Sequence, residues 1–186
     1  MADRIDVAVL VGSLRPKGYS SLLANALIGL APDHLAPHVV GFGDLPLYIE
    51  DLEKDVPPAW AAFRDTMRAA QAVLFVTPEY NRSIPGGLKN AVDVGSRPYG
   101  QSIFSGKPAA VVSQSPGAMG GFGAHHDLRR SLVFLDMPAL QQPEMYLARS
   151  NELFDEKGAV KTDDTRKFLS GFMTSFGAWI DRFVTR

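Results

Sequence analysis

Ile5-Asp6-Val7-Ala8-Val9-Leu10-Val11-Gly12-Ser13-Leu14-Arg15-Pro16-Lys17-Gly18-Tyr19-Ser20-Ser21 is the stretch that decides the fold class. Its first seven residues form a nearly continuous apolar run rich in Val. Such a run reads as a strand covered on both faces, the kind found in parallel sheets. Gly12-Ser13 breaks it. Beyond the polar loop, Leu22, Leu23, Ala26, Leu27 and Leu30 recur at helical spacing until Pro32 ends the helix. Strand, polar turn and helix in that order open a βα repeat.

The same alternation continues along the chain. His38 to Phe42 reads as a weaker second strand, followed by a long loop through Leu45-Pro46-Leu47-Tyr48 and an acidic stretch. Pro57-Pro58 opens a helix with Trp60, Phe63 and Met67 on one stripe. Ala72 to Thr77 is the third strand, and Pro85 suits the first position of the next helix. Ala109 to Ser113 is the fourth strand and His125 to Leu135 a helix. Pro138-Ala139-Leu140 with Glu144 to Leu147 supplies the last strand and its continuation. In the final helix, Phe168, Leu169, Phe172, Met173, Phe176, Trp179, Ile180 and Phe183 make one apolar face, read as core.

The expected architecture is therefore α/β: a flavodoxin-like three-layer sandwich with a central five-stranded parallel sheet, a single domain spanning residues 1–186. In such sheets ligands bind beyond the carboxyl ends of the strands, at the topological switch point. The loops after strands one, three and four are the places to look.

Composition narrows the chemistry. The chain has no Cys, which excludes disulfides, thiolate nucleophiles and Cys-held metal or iron–sulfur sites. Nineteen basic and twenty acidic residues leave a net charge of −1, with no electrostatic footprint for nucleic acid or an anionic membrane. The apolar runs are strand-length, far short of the roughly 20 residues of a membrane span. The N-terminus does not read as a signal peptide, so a cytoplasmic protein is expected. No His or carboxylate spacing matches a metal site or a paired acid/base site.

Three loops carry the candidate chemistry. The first, Gly12 to Ser21, joins a strand to a helix N-terminus. Its small residues let backbone N–H groups converge on an anion, with Ser13, Ser20 and Ser21 hydroxyls and the Arg15 guanidinium as donors. It is neither G-x-G-x-x-G nor G-x-x-x-x-G-K-[ST], which disfavours a nicotinamide Rossmann site and a Walker-type site. An ordinary polar turn with Ser20 as helix N-cap would have the same composition. The second, Thr77 to Asn90, offers an aromatic face, stiff prolines and inward amides, as a flat heteroaromatic ligand requires. The third, Ser113 to Gly123, has the glycines of a close backbone approach. His125 and His126 read as a surface pair on a helix, and Arg82 as solvated surface.

Together these loops resemble the NADPH-dependent FMN reductase family, flavodoxin-like flavin, quinone, azo-dye and chromate reductases. The most specific match is Thr77-Pro-Glu-Tyr-Asn followed by Ile84-Pro-Gly-Gly-Leu-Lys-Asn-Ala-Val-Asp93. Gly12-Ser-Leu-Arg15 is similar to the family's opening motif, and Gly117, Gly120-Gly121 and Leu128-Arg129 match its third segment. The resemblance implies FMN as cofactor and NADPH or NADH as co-substrate. It implies phosphate held by Ser13, Arg15 and Ser20, with Gly18 and Ser21 beside them. The isoalloxazine would be lined by Pro78, Glu79, Tyr80 and Asn81, and its pyrimidine side met by Ser115 and Gly117. The family usually has Ser and, two residues on, Asn where this chain has Gly18 and Ser20. A backbone N–H of Gly18 is expected to replace one missing donor.

Because FMN carries the chemistry, no catalytic side chain is expected. A backbone amide of the Glu79–Asn81 segment is expected to tune the flavin. Ping-pong turnover is expected between the dinucleotide and a small acceptor, whether quinone, flavin, azo compound or metal oxyanion. The resemblance further implies a homodimer or homotetramer, with Arg129 and Glu144 in contacts between subunits or in salt bridges within one. The competing readings are a flavodoxin-type electron carrier, disfavoured by the near-neutral charge, and a non-catalytic flavin-binding regulator.

Overall fold

A computed structural model describes residues 4–185. The N-terminal reading at residues 1–3, and the last residue of the single-domain assignment, lie outside them. The apolar run forms β1 (Ile5–Val11), and α1 (Tyr19–Gly29) follows the polar turn. Next come β2 (Leu35–Val39), a 3₁₀ turn at Glu50–Glu53, α2 (Pro58–Ala69), β3 (Ala72–Pro78) and α3 (Gly86–Gly95). The chain continues through β4 (Ala109–Gln114), α4 (Phe122–Phe134), β5 (Met145–Leu147) and α5 (Asp163–Ile180). The five strands are ordered β2-β1-β3-β4-β5 and every pairing is parallel. That is the flavodoxin-like order, whose switch point lies between β1 and β3.

The pleat explains how one sheet supports two cores. Val7, Val9 and Val11 of β1, with Leu74 and Val76 of β3 and Val112 of β4, face Leu23 and Leu27 of α1 and Leu169, Phe172 and Phe176 of α5. Ala8, Leu10, Phe75 and Val111 point the other way, against Trp60 and Phe63 of α2, Leu88 of α3 and Leu128 and Leu132 of α4. The three central strands are therefore apolar at almost every position. The long loop after β2 is clasped by buried Asn90, whose amide accepts from the Tyr48 N–H (2.8 Å) and donates to the carbonyls of Leu45 and Pro46.

Several element boundaries differ from the sequence reading. β2 covers Leu35–Val39 rather than His38 to Phe42. It is an edge strand paired only to β1, so Pro37 costs no ladder bond on its free side. Val40 and Phe42, the apolar residues of the expected strand, are buried but lie in the loop after it. Of the last strand only Met145–Leu147 forms, and Pro138 to Leu140 contributes a single bridge from Ala139 to Ala109. α5 begins at Asp163, where the Thr162 hydroxyl caps the Thr165 N–H (3.2 Å). Its core stripe excludes Phe168 and Phe183, which are about half exposed.

α4 starts at Phe122, three residues before the expected His125. Gly121 caps it at φ +80°, in the left-handed region that only a residue without Cβ adopts cheaply. His125 falls on the buried side of α4 with Ala124, Leu128 and Leu132. It is fully buried, not a surface residue.

Candidate functional site

The register places all three loops on one rim. Val11 pairs with Val76, Val76 with Val112, and Pro78 with Gln114, so the turns that follow β1, β3 and β4 leave the sheet side by side.

In the first turn, Gly18 is the N-cap of α1 and makes no side-chain cap. Ser20 is not the N-cap that the alternative reading of an ordinary polar turn would have made it. The N–H groups of Tyr19 and Ser20 have no acceptor among the described residues and lie at the positive end of the helix. The Gly18 N–H, expected as a donor to a ligand, is instead spent on the Arg15 carbonyl (3.0 Å), so Gly18 shapes the turn. The Ser21 hydroxyl is likewise spent, donating to the same carbonyl (2.9 Å). Ser13 Oγ accepts from the Arg15 N–H (3.3 Å), leaving its proton available, and the Arg15 side chain is exposed. Ser20 is fully buried; its Oγ accepts from Gln114 Nε2 at 2.8 Å.

The second turn is a two-residue hairpin. Tyr80 and Ser83 exchange backbone hydrogen bonds (2.9 and 3.0 Å) across Asn81 (φ +52°) and Arg82 (φ +67°). Two successive left-handed residues define a type I′ turn. The hairpin consumes the N–H groups of Tyr80 and Ser83. Those of Glu79 and Asn81 have no acceptor among the described residues. Pro78 is buried and Tyr80 half exposed.

The Glu79 side chain does not face the slot. Its carboxylate accepts from the Ala124 N–H at 3.1 Å, capping α4 from outside the helix, and pairs with Arg82 (3.4 Å). Ser83 donates to Asp127, one helical turn further along α4. That bond is the main reason the Asp127 carboxyl is held below the usual range. A Cβ on Gly123 would lie 2.8 Å from the Arg82 carbonyl oxygen and 2.9 Å from Glu79 Oε2. Hairpin and α4 therefore meet at closest backbone approach.

The third turn is fastened from β5. The Ser115 N–H bonds the Leu147 carbonyl (3.0 Å), and the Ser115 hydroxyl accepts from the Gly117 N–H (3.1 Å). The Ser113 hydroxyl donates to the Gly120 carbonyl (2.9 Å). Beneath the glycines lies His125, with Tyr146 edge-on at 4.6 Å between ring centroids. Burial pushes its pKa down to about 4, with help from the Arg129 charge. Tyr146 donates to Glu144, a bond that lowers the Glu144 pKa, and lies 3.1 Å from His126 Nε2. Burial and Glu144 raise the tyrosine's own pKa. The Arg129 guanidinium donates to the Leu140 carbonyl (2.9 Å). Among the described residues neither Arg129 nor Glu144 is in a salt bridge within the subunit.

The rim thus joins Ser13, Arg15, the first turn of α1, Pro78 to Asn81, Ser115 and Gly117. Sequence reasoning missed Gln114. It sits at the end of an apolar strand, in phase with Ala110 and Val112, so a polar side chain there must enter the α1 layer. That phase was a usable signal. Two larger grooves lie along α4, the second of them against the hairpin of the rim. One of about 790 Å³ runs between α3 and α4, lined by Tyr99, Phe134 and Leu135 among others, and one of about 700 Å³ is bordered by Arg82, His126 and Arg129.

These residues suit a flavin mononucleotide. Free helix N-terminal donors and Arg15 match a phosphate. The free Glu79 and Asn81 amides match a ring edge, and a buried Gln114 Oε1 without a partner matches a polar chain between them.

Residues 5–152 match the family described as NADPH-dependent FMN reductase. A quinone reductase of Pseudomonas putida is 59% identical over 181 residues, 97% of either chain. A 2-hydroxy-1,4-benzoquinone reductase of a Burkholderia species is 44% identical, covering 97% of this chain and 99% of its own. Among solved structures, FerB of Paracoccus denitrificans, a flavoenzyme NAD(P)H:(acceptor) oxidoreductase, is 41% identical. It superposes with a TM-score of 0.90 over 96% of this chain and 98% of FerB.

Proposed function

The chain belongs to the NADPH-dependent FMN reductase family, and from that premise we propose that it is a quinone reductase using NAD(P)H. It is an FMN-dependent oxidoreductase by its family. The quinone as acceptor rests on one observation above the others: 59% identity, end to end, with a protein of that activity. FMN, if held here, would supply hydride chemistry, accepting a hydride from the reduced nicotinamide and delivering it to the acceptor, so that a quinone would take up that hydride and a solvent proton.

The chain's own part is to hold and to shield. In this reading Arg15, the Ser13 hydroxyl and the N–H groups of Tyr19 and Ser20 bind the phosphate. Ser21 and Gly18 set the shape of that turn. Pro78 and Tyr80 flank the ring, the Glu79 or Asn81 N–H meets its edge, and Ser115 and Gly117 border its pyrimidine side. The Glu79 carboxylate holds the hairpin in place without touching the ring. The near-neutral charge weighs against a protein-to-protein electron carrier.

The test is steady-state oxidation of NADPH and NADH by the FMN-loaded protein with a panel of benzoquinones, free FMN, an azo dye and chromate. Parallel double-reciprocal lines and a kcat/KM for a benzoquinone at least tenfold above the other acceptors are expected. A preference for free FMN would replace the quinone. A preparation that binds no flavin would end the reading.

A homodimer belongs to the same proposal. Val133 and Phe134 of α4 are 80% and 81% exposed, and Tyr99 faces solvent across the groove beside them. Apolar side chains this open suit coverage by a second copy. Phe134→Asp should then halve the mass measured by light scattering, and an unchanged mass would move the interface elsewhere. Among the described residues no helix is long and apolar enough to cross a membrane. A cytoplasmic setting, where NAD(P)H is supplied, is part of the proposal.

A further inference from the structure

Gln114 ends β4 in the same phase as Ala110 and Val112, so its side chain enters the layer of α1. It is only 4% exposed. Its Nε2 donates to Ser20 Oγ in the first turn of α1 at 2.8 Å, and Ser20 is itself fully buried. Pro78 stands beside it on β3 and Leu147 on β5. The amide therefore lies between the turn that offers free N–H groups and the two turns that form the slot. Its other polar atom, Oε1, is buried and has no hydrogen-bond partner.

An unmatched buried acceptor is costly, whereas one that is matched on ligand binding is a preorganised contact. Turning the amide over changes little. Ser20 would then donate to Oε1, and an N–H would be left over. Either way one polar atom of the amide is left without a partner, between the first turn of α1 and the end of β4. The Ser20 bond alone would serve as a staple between α1 and β4, but a purely structural amide buried this deeply normally has its second polar atom matched as well.

Resting on the flavin reading above, we propose that the Gln114 amide, braced by Ser20, binds a hydroxyl of the ribityl chain of FMN. A polyol hydroxyl both donates and accepts, so it satisfies the free atom in either orientation of the amide. The pair then ties three parts of the site together: the first turn of α1, the end of β4 and the middle of the cofactor. Selectivity would lie in the polyol, separate from the phosphate contacts of Arg15 and from the ring contacts of the hairpin.

The experiment compares three flavins on the full-length apoprotein: FMN, riboflavin, which lacks the phosphate, and lumiflavin, which lacks the polyol as well. Dissociation constants are read from flavin fluorescence quenching for the wild type, Gln114→Met and Ser20→Ala. Gln114→Met should weaken FMN and riboflavin by the same factor, about tenfold, and leave lumiflavin unchanged. Ser20→Ala should weaken the same two ligands by a smaller factor, about threefold, because the amide loses its brace and keeps its contact. An equal loss for all three flavins makes the pair purely structural and overturns the proposal, as does unchanged riboflavin affinity. If Gln114→Met does not fold, the Ser20→Ala comparison between riboflavin and lumiflavin decides the matter alone. Wild-type protein that binds none of the three defeats the flavin reading itself, an outcome distinct from a wild type that binds flavin and ignores the change at Gln114.

Discussion

The two ends of the slot are built differently. At the anion end, the turn from Gly12 to Ser21 is exposed from Leu14 to Lys17, and its free donors are helix N–H groups, the Ser13 hydroxyl and one solvated arginine. At the ring end, the hairpin at Tyr80 is tied to α4 three times: through Glu79 to the Ala124 N–H, through Ser83 to Asp127, and through the close approach of Gly123 to the Arg82 carbonyl. An anion needs only converging positive charge and tolerates movement. A flat ring that passes hydride between two partners needs its wall fixed, since small displacements are costly in rate. The difference teaches which end carries affinity and which carries geometry.

The largest effect on turnover should come from prying the ring end open. Gly123→Ala puts a methyl group 2.8 Å from a backbone oxygen, and either the hairpin or α4 must shift. A loss of about 2 kcal/mol in urea unfolding is expected, with more than a tenfold fall in kcat/KM for the quinone. Unchanged turnover in a destabilised protein would show that the hairpin's position is immaterial.

Acid probes the support beneath the same end. Folded protein keeps His125 neutral down to a pKa of about 4, while the unfolded chain takes up its proton near 6.5. The unfolded state therefore binds more protons inside that window, and stability falls as pH drops through it, by about 3 kcal/mol in full. His125→Leu should flatten this slope between pH 6.5 and 4. A variant with the wild-type slope would place the titrating group elsewhere.

Glu79→Gln keeps the shape of the clasp and removes its charge from the N-terminus of α4. About 1 kcal/mol of stability should go. Quinone kcat should drop several-fold while FMN affinity stays within twofold. If FMN affinity falls instead, the two ends are not separable in the way drawn above.

Arg15→Ala is the mildest test and addresses the anion end alone. FMN should bind about five- to tenfold more weakly, riboflavin unchanged, with no movement of the thermal midpoint. Equal weakening of both ligands would take Arg15 off the phosphate.

The strand and helix periods, the breaks at Gly12 and Pro85 and the aromatic stripe of α5 are local properties, and they set the layer order without reference to anything distant. The match of Thr77 to Asp93 to a known family belongs to the same local text. Other features were invisible there. The Gln114–Ser20 bond spans 94 positions and the Glu79–Ala124 bond 45, and their existence depends on which strands become neighbours and which side of the pleat each residue occupies. His125 reads as surface because a histidine near a helix start carries no local sign of which side of the helix will face the sheet. Gly18 looked like a donor because sequence shows an N–H without showing the carbonyl that already holds it. Composition chooses the elements through short-range sterics and apolar spacing, but the partners of a polar group are chosen only when the sheet closes and leaves each donor one direction in which to point.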